Sequence, residues 1–248
     1  MQLNFLHHGR TTTTTTTTMT TTTTTTSPQQ VLLFIPNLIG YFRVVCSILS
    51  FLCMVLYPSL WLYAVVLYVA SFAGDLVDGW AARKFNQCSK FGGLLDMVTD
   101  RCSTAGLLFV LGCEATVPLH TLAFQALILL DISSHWCQMY ASLDQHHKSK
   151  DANHNVLVRW YYDYYLFFGY LCVGAEFLYV TQYVLQHMEQ QQPSFLYSSV
   201  LLLWRVCLPG CILKQIINVA QLQSSCYAVA TRDALQHSQD SANSGKES

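Results

Sequence analysis

Charge is what this chain has least of. Only 11% of its 248 residues are Asp, Glu, Lys or Arg, against roughly 25% in a soluble domain. Hydrophobic residues make up 52%, and the mean hydropathy is +0.31. That balance excludes an ordinary soluble globular domain and indicates a membrane protein. An excess of either sign is missing too: 13 basic and 14 acidic residues leave a net charge of −1, which argues against a nucleic-acid partner. No CxxC pair and no His-rich spacing accompanies the ten cysteines, which are scattered mostly through apolar segments. They read as reduced, small apolar residues rather than disulfides or zinc ligands. The amino terminus carries no signal-peptide pattern. In its place runs Thr11 to Thr26, interrupted only by Met19, a low-complexity tract that buries nothing and is expected to be disordered.

What is present is a succession of hydrophobic stretches of about 20 residues, each long enough to cross about 30 Å of hydrocarbon as a helix. The expected fold is all-α: a polytopic membrane protein with six transmembrane helices preceded by a short interfacial helix. The expected division is a Thr-rich segment over 1–30, a membrane domain over 31–220 and a polar tail over 221–248. Pro36 interrupts helix continuity, so a short interfacial segment should run to Ile35. Spanning helices are then expected over 37–57, 60–83, 92–113, 119–142, 161–186 and 195–220, with the tail from Gln221 fraying.

Six spans place both termini on one side, and the basic residues decide which. The linkers after the second and fourth helices, with their flanks, hold Arg83, Lys84, Lys90, Lys148, Lys150 and Arg159, and the termini add Arg10, Arg232 and Lys246. The three opposite turns hold none. By the positive-inside rule the termini and the carboxyl end of the second helix face the cytosol.

Against this apolar background, residues 75–100 read DLVDGWAARKFNQCSKFGGLLDMVTD and contain four acids, Asp75, Asp78, Asp96 and Asp100. Asp75, Asp78, Gly79 and Ala82 recur at spacings of three, one and three, and Gly92, Asp96 and Asp100 at spacings of four. Each set therefore lies on one helical face, and two helices can present four acids to one point. An acid at this depth costs about 2.5–3.5 kcal/mol, and four together repel. Divalent hard cations answer both costs, because carboxylate oxygens are what Mg²⁺ or Mn²⁺ prefers and Mg²⁺ shares its shell with phosphates. Gly79, Ala82, Gly92 and Gly93 remove side chains where a bulky ligand must approach. Singly, each of these small residues is explained by helix packing. Two ions held by four acids suit phosphoryl transfer, with one carboxylate left to accept a proton from an attacking hydroxyl.

The complete pattern Asp75-x2-Asp78-Gly79-x2-Ala82-Arg83-x8-Gly92-x3-Asp96-x3-Asp100 resembles the signature of the CDP-alcohol phosphatidyltransferases. Eight fixed identities at roughly 5–7% each match by chance about once in 10¹⁰ starts. Flanking runs, PNLIGY at 36–41, NQCSKFGGLLDMVTDRCST at 86–104, SHW at 134–136 and VLVRWYY at 156–162, are similar to the eukaryotic branch of that family whose acceptor is myo-inositol. The resemblance implies six transmembrane helices, a homodimer in the endoplasmic reticulum, dependence on Mg²⁺ or Mn²⁺ (two ions), and displacement of CMP from CDP-diacylglycerol by a hydroxyl. It further implies that Asp75, Asp78 and Asp96 hold the metals. Asp100 would be the general base and an additional metal ligand. Asp78, Gly79, Ala82 and Gly92 would line the cytidine diphosphate pocket, with Arg83 near the phosphates. Asn37 would either reach the nucleotide or cap its own helix.

Other polar residues have weaker claims. Asp131 and His135, at an i,i+4 spacing, either form a pair that fixes helix packing or line the acceptor pocket. Arg159 is a further acceptor candidate. His146, His147, Lys148 and Lys150 read as a solvated basic face attracted to anionic lipid, and Tyr161, Tyr162, Tyr164 and Tyr165 as an interfacial belt. Arg43 and Arg205 lie too deep for loop-borne side chains, Arg205 either pairing with Glu176 or facing a dimer contact. The alternatives are a phosphatidyltransferase of the same family using glycerol 3-phosphate or serine, and a non-enzymatic cation transporter. A prenyltransferase is a weaker rival, because its acids fall in two separate Asp-rich motifs and only one is present.

Overall fold

The computed structural model describes residues 26–143, 165–188 and 195–244. The tract 11–25, the basic loop with Arg159, and Tyr161, Tyr162 and Tyr164 lie outside these. Among the described residues the chain is helical throughout and no strand occurs. A short α1 (Pro28–Leu32) is opened by Ser27 in a capping box with Gln30. It leads into α2 (Ile35–Leu56), which has Pro36 in its first turn, where the missing N–H costs nothing. The proline that should break the helix therefore starts it.

A 3-10 turn at Pro58–Leu60 joins α2 to α3 (Trp61–Lys84), followed by α4 (Lys90–Glu114) and α5 (Pro118–Leu143). Then come α6 (Tyr165–His187) and α7 (Phe195–Ser244). The expected boundaries hold to within a few residues up to α6. The tail is the exception: the helix that should end near Ala220 continues to Ser244. Two contacts to the end of α5 support the extension. Ser225 Oγ donates to Gln138 Oε1 at 2.5 Å, and the Arg232 guanidinium donates to the Ala141 carbonyl. Polarity alone does not stop a helix when its residues, here Ala, Leu and Gln among them, are helix formers. Pro209 lies inside α7 and removes one helical hydrogen bond. Beside it, the Tyr170 hydroxyl donates to the Val206 carbonyl at 2.8 Å.

Among the described residues, three helices can cross a membrane by length and composition: Ile35–Leu56, Pro58–Lys84 and Phe195–Ser241. At about 1.5 Å per residue, the 22 residues of α2 reach about 33 Å. Their outward faces carry exposed Phe42, Val45, Ile48, Leu52, Val66 and Leu202, as a lipid-facing surface should.

α2 packs against both α3 and α4, α4 against α5, and α7 against α5 and α6. One apolar core occupies the half of the bundle that holds the first turns of α3 and the last turns of α4. Met54, Ala64, Tyr68, Leu107, Leu111, Leu178 and Tyr183 lie there with Cys207 and Cys211 of α7. Toward the other end the interhelical contacts turn polar. Ser47 of α2 bonds both Ser71 of α3 and Ser103 of α4 at 2.8 Å, and Ser50 donates to the Ala64 carbonyl at 2.7 Å. Small hydroxyl residues let helices approach closely in lipid, where apolar burial supplies no drive.

The α3–α4 connection sets the geometry of that polar end. Gln87 N–H bonds the Ala82 carbonyl at 2.9 Å and Asn86 N–H the Arg83 carbonyl at 3.4 Å, with Asn86 at φ 53°. These two bonds and one left-handed residue are a Schellman cap, with asparagine where glycine is commonest. Gln87 Oε1 then accepts the Ile35 N–H at 2.9 Å, fastening the connection to the start of α2, and Ser89 Oγ caps α4 through Gly92 N–H at 3.0 Å. A β-branched residue at the left-handed position should cost about 1–2 kcal/mol. Asn86→Val should therefore lower the thermal denaturation midpoint of the detergent-solubilised protein, and Asn86→Gly should not. Equal midpoints for the two variants would remove the cap from this account.

Candidate active site

The cap and the hairpin it closes bring Asp75 and Asp78 of α3 opposite Asp96 and Asp100 of α4. Between them lies a residue of α2. The Arg43 side chain is 1% exposed, and its Nη1 stands 3.1 Å from Asp75 Oδ1, 2.6 Å from Asp78 Oδ2 and 2.8 Å from Asp96 Oδ1. Its Nη2 donates to Asp100 Oδ1, and its Nε donates to the Ser71 carbonyl at 3.2 Å. One guanidinium thus touches all four acids, using the several donors that distinguish Arg from Lys.

Room for it comes from Gly74, the residue before the first acid, where a Cβ would lie 2.7 Å from Arg43 Cγ. Access is graded across the cluster. The Asp78 side chain is 10% exposed and that of Asp96 45%, so the site is closed at Asp78 and open at Asp96.

Asp75, Asp78 and Asp96 each offer an oxygen, and these atoms lie within 4.8 Å of one another. All are hard carboxylate oxygens, which is the donor set that a divalent cation such as Mg²⁺ or Mn²⁺ takes. Asp100 stands outside this trio. Its Oδ2 faces Arg101 Nη2 at 3.6 Å, and Arg101 in turn donates to both oxygens of Asp131 on α5, at 2.9 and 3.1 Å.

A cavity of about 1020 Å³ joins the two groups, with Asp75, Asp96 and Asp100 on one wall and Arg101, Asp131 and His135 on another. Glu176 of α6 also faces it. The Glu176 carboxylate accepts from Tyr68 at 3.0 Å and from Thr104.

The other expected site residues distribute as follows. Gly79 lies at the Arg83 guanidinium, 3.6 Å from where its Cβ would be. Ala82 is half-buried beside the exposed Arg83 at the end of α3. Gly92 lies against Asn37, whose Oδ1 would be 2.9 Å from an added Cβ. Asn37 is buried, but it does not cap its own helix: its Nδ2 donates to the Val31 carbonyl at 2.5 Å, tying α1 to α2.

Asp131 and His135 approach each other, with His135 Nδ1 3.5 Å from Asp131 Oδ1, but each side chain has a shorter contact elsewhere. His135 Nδ1 bonds the Asp131 backbone carbonyl at 2.8 Å, while the carboxylate belongs to Arg101. Glu176 is held by Tyr68 and Thr104 rather than Arg205, whose side chain is exposed.

Arg43, Gly74 and Arg101 were not among the expected site residues. A cation deep in an apolar helix was a signal for Arg43, as was a glycine adjoining Asp75 for Gly74. For Arg101 the signal was a cation adjoining Asp100.

The family model for CDP-alcohol phosphatidyltransferase matches residues 33–207. Among curated proteins, the chain is 38% identical over 213 residues to the CDP-diacylglycerol–inositol 3-phosphatidyltransferase of Candida albicans, covering 85% of this chain and 87% of that one. It is 40% identical over 205 residues to a probable CDP-diacylglycerol–inositol 3-phosphatidyltransferase 2 of Arabidopsis thaliana, covering 79% and 88%. To the Homo sapiens CDP-diacylglycerol–inositol 3-phosphatidyltransferase it is 37% identical over 209 residues, covering 83% and 95%. No solved structure matches the chain.

Two substitutions at the cluster should move stability in opposite directions in metal-free buffer. Gly74→Leu pushes against the Arg43 stem and should cost about 1–3 kcal/mol, the usual effect of overpacking. Asp96→Asn removes one of four mutually repelling carboxylates and should leave the protein at least as stable as the wild type. Thermal denaturation in the presence of EDTA checks both, and a marked loss for Asp96→Asn would mean that every carboxylate is needed to hold the guanidinium.

Proposed function

The chain belongs to the CDP-alcohol phosphatidyltransferase family, and on that premise we propose that it transfers phosphatidyl from CDP-diacylglycerol to a hydroxyl of myo-inositol and releases CMP. The observation that carries this reading is the four-acid cluster on α3 and α4, open at Asp96 to a cavity whose other wall is polar. Asp75, Asp78 and Asp96 would hold Mg²⁺ or Mn²⁺, two ions in this reading, with Asp100 as a further ligand. Bound ions would neutralise the diphosphate and stabilise charge on the departing CMP oxygen.

The chain's own groups do the rest. Asp100 accepts the proton of the inositol hydroxyl. The inositol oxygen bonds to the phosphorus that carries diacylglycerol, and the bond from that phosphorus to the CMP oxygen breaks, CMP leaving with the electron pair. Support for Asp100 as the base is its place outside the trio, beside the Arg101–Asp131 pair on the cavity wall. Gly79, Ala82 and Gly92 would border the cytidine diphosphate, with Arg83 near its phosphates and Asn37 behind Gly92.

An uncharged polyol suits the opposite wall better than a phosphorylated acceptor. Arg101 is engaged by Asp131 and Asp100, and the other two charged side chains there, Glu176 and Lys214, are of opposite sign. Asp131 and His135 are the acceptor-side residues of this reading, with Arg159 from outside the described residues. Glycerol 3-phosphate or serine as acceptor is the second reading within the family.

Six spans, with α1 lying at the interface, are consistent with six helices of 22 or more residues among the described residues. The distribution of Lys and Arg supports a site that faces the cytosol. Residence in the endoplasmic reticulum and homodimerisation belong to the same proposal.

In vesicles containing CDP-diacylglycerol and Mg²⁺, tritiated inositol should enter lipid with stoichiometric CMP release. Asp100→Asn should slow this about 10²–10⁴-fold, the range for loss of a general base, in protein that remains folded. Incorporation of serine or glycerol 3-phosphate in place of inositol would overturn the acceptor and leave the family. Asp131→Ala should raise KM for inositol while changing that for CDP-diacylglycerol little, and equal effects on both would take Asp131 out of the acceptor pocket.

A further inference from the structure

Arg43 occupies the point that a divalent cation would need. Its Nη1 lies within 3.1 Å of oxygens of Asp75, Asp78 and Asp96, and these three residues are the trio whose oxygens converge to within 4.8 Å. Mg²⁺ binds oxygen at about 2.0–2.1 Å in a near-octahedral shell. An ion on those oxygens and a guanidinium nitrogen bonded to the same ones cannot share the centre.

We propose that Arg43 is a resident counter-cation of the four carboxylates, and that divalent ions bind by displacing its guanidinium. The proposal rests on the reading of Asp75, Asp78 and Asp96 as metal ligands.

Three features support exchange rather than a fixed structural post. The first is charge. Five carboxylates, the four and Asp131, share two guanidiniums, Arg43 on all four and Arg101 on Asp100 and Asp131, which leaves three formal negative charges to draw a divalent cation. The second is room. Arg43 lines the cavity of about 1020 Å³, so its head can swing without leaving the bundle while its stem stays packed against Gly74. The third is anchorage: Nε holds the Ser71 carbonyl at 3.2 Å, a bond that involves none of the acids. A planar guanidinium freed from carboxylates also suits a phosphate oxygen, so displacement leaves it in a site that receives a diphosphate.

The consequence is negative coupling between Arg43 and the metal. Without metal, the guanidinium relieves the repulsion that would otherwise open α2, α3 and α4. With metal, the same bonds must break, so Arg43 weakens metal affinity while preserving the folded site.

The test is a Mn²⁺ titration of the detergent-solubilised full-length protein without substrate, with free Mn²⁺ read by electron paramagnetic resonance. Arg43→Met should bind Mn²⁺ at least about fivefold more tightly than wild type, the lower end of measured couplings between sites. Arg43→Lys, with one compact ammonium, should fall between. In EDTA, Arg43→Met should denature at lower temperature than wild type and recover on adding Mn²⁺.

Unchanged or weaker Mn²⁺ binding by the variants overturns the proposal and makes Arg43 a post that positions the carboxylates. If Arg43→Met cannot be purified folded, Arg43→Lys decides alone: tighter binding supports exchange, equal or weaker binding overturns it. Absence of Mn²⁺ binding to the wild type would overturn the metal reading as well. An error in the acceptor would leave the titration unaltered.

Discussion

Everything at the polar end of this bundle depends on one guanidinium among four carboxylates. Four acids between helices that face lipid are unstable as a set, since each resists burial and each repels the others. Arg43 answers both through a single side chain, and it does so from α2, which packs against α3 and α4. The order of helices is thereby tied to the chemistry. α3 and α4 supply two acids each, and α2 supplies the cation that lets them converge. Removing one partner from a buried ionic group is far more costly than the group's net contribution to stability suggests. The cluster is better understood as specifying an arrangement than as stabilising the fold.

Around that cluster the supporting structure is built from short-range devices. The Schellman cap at Asn86, the Ser89 cap of α4 and the Gln87 latch onto α2 fix where the α3–α4 hairpin turns. They therefore fix which turn of α3 faces which turn of α4. Beyond the acids, hydroxyls of Ser47, Ser71 and Ser103 knit the same three helices, and only then does the apolar core begin. A second polar group, Arg101–Asp131 with Glu176, Tyr68 and Thr104, joins α4 to α5, α6 and α3. Each acid in it has named donors, as a polar group in an apolar surrounding requires. Asp100 stands where the two groups meet.

Much of this was legible in the sequence because it is local. Hydrophobic length located the long helices, and the spacing of Asp75, Asp78, Asp96 and Asp100 put the acids on two faces, since three- and four-residue repeats need no knowledge of tertiary structure. What escaped depends on distant partners. Arg43 was conspicuous as a deep cation, yet its partners are 32 to 57 positions away, and nothing in helical periodicity says which face of α2 meets which face of α3. Arg101 adjoins an acid of the motif yet reaches across to α5, and Asp131, expected either to pair with His135 or to line the acceptor pocket, lies 3.5 Å from His135 but bonds Arg101 on another helix. Asn37 was expected either to reach the nucleotide or to cap the helix that contains it; the carbonyl it reaches belongs to the preceding helix. The polar tail does not fray, because a long helix from the bundle can carry a polar segment held by Gln138 and the Ala141 carbonyl.

The graded exposure of the acids bears on how a lipid and a water-soluble molecule could meet here. Asp78 is nearly closed off by α2, whereas Asp96 is open, so the cluster has a floor and a mouth. A diphosphate entering at the mouth brings negative charge to a site already rich in it, and cations must accompany or precede it. That ordering follows from electrostatics alone: in a low-dielectric surrounding like charges cannot be added without compensation. The opposite wall has no such demand, because Arg101 is already matched by Asp131 and Asp100. A neutral, hydroxyl-rich molecule can exchange hydrogen bonds there without altering the charge balance. One cavity can therefore serve two unlike ligands, the charged one dependent on the four acids and the neutral one on a polar wall that is already balanced.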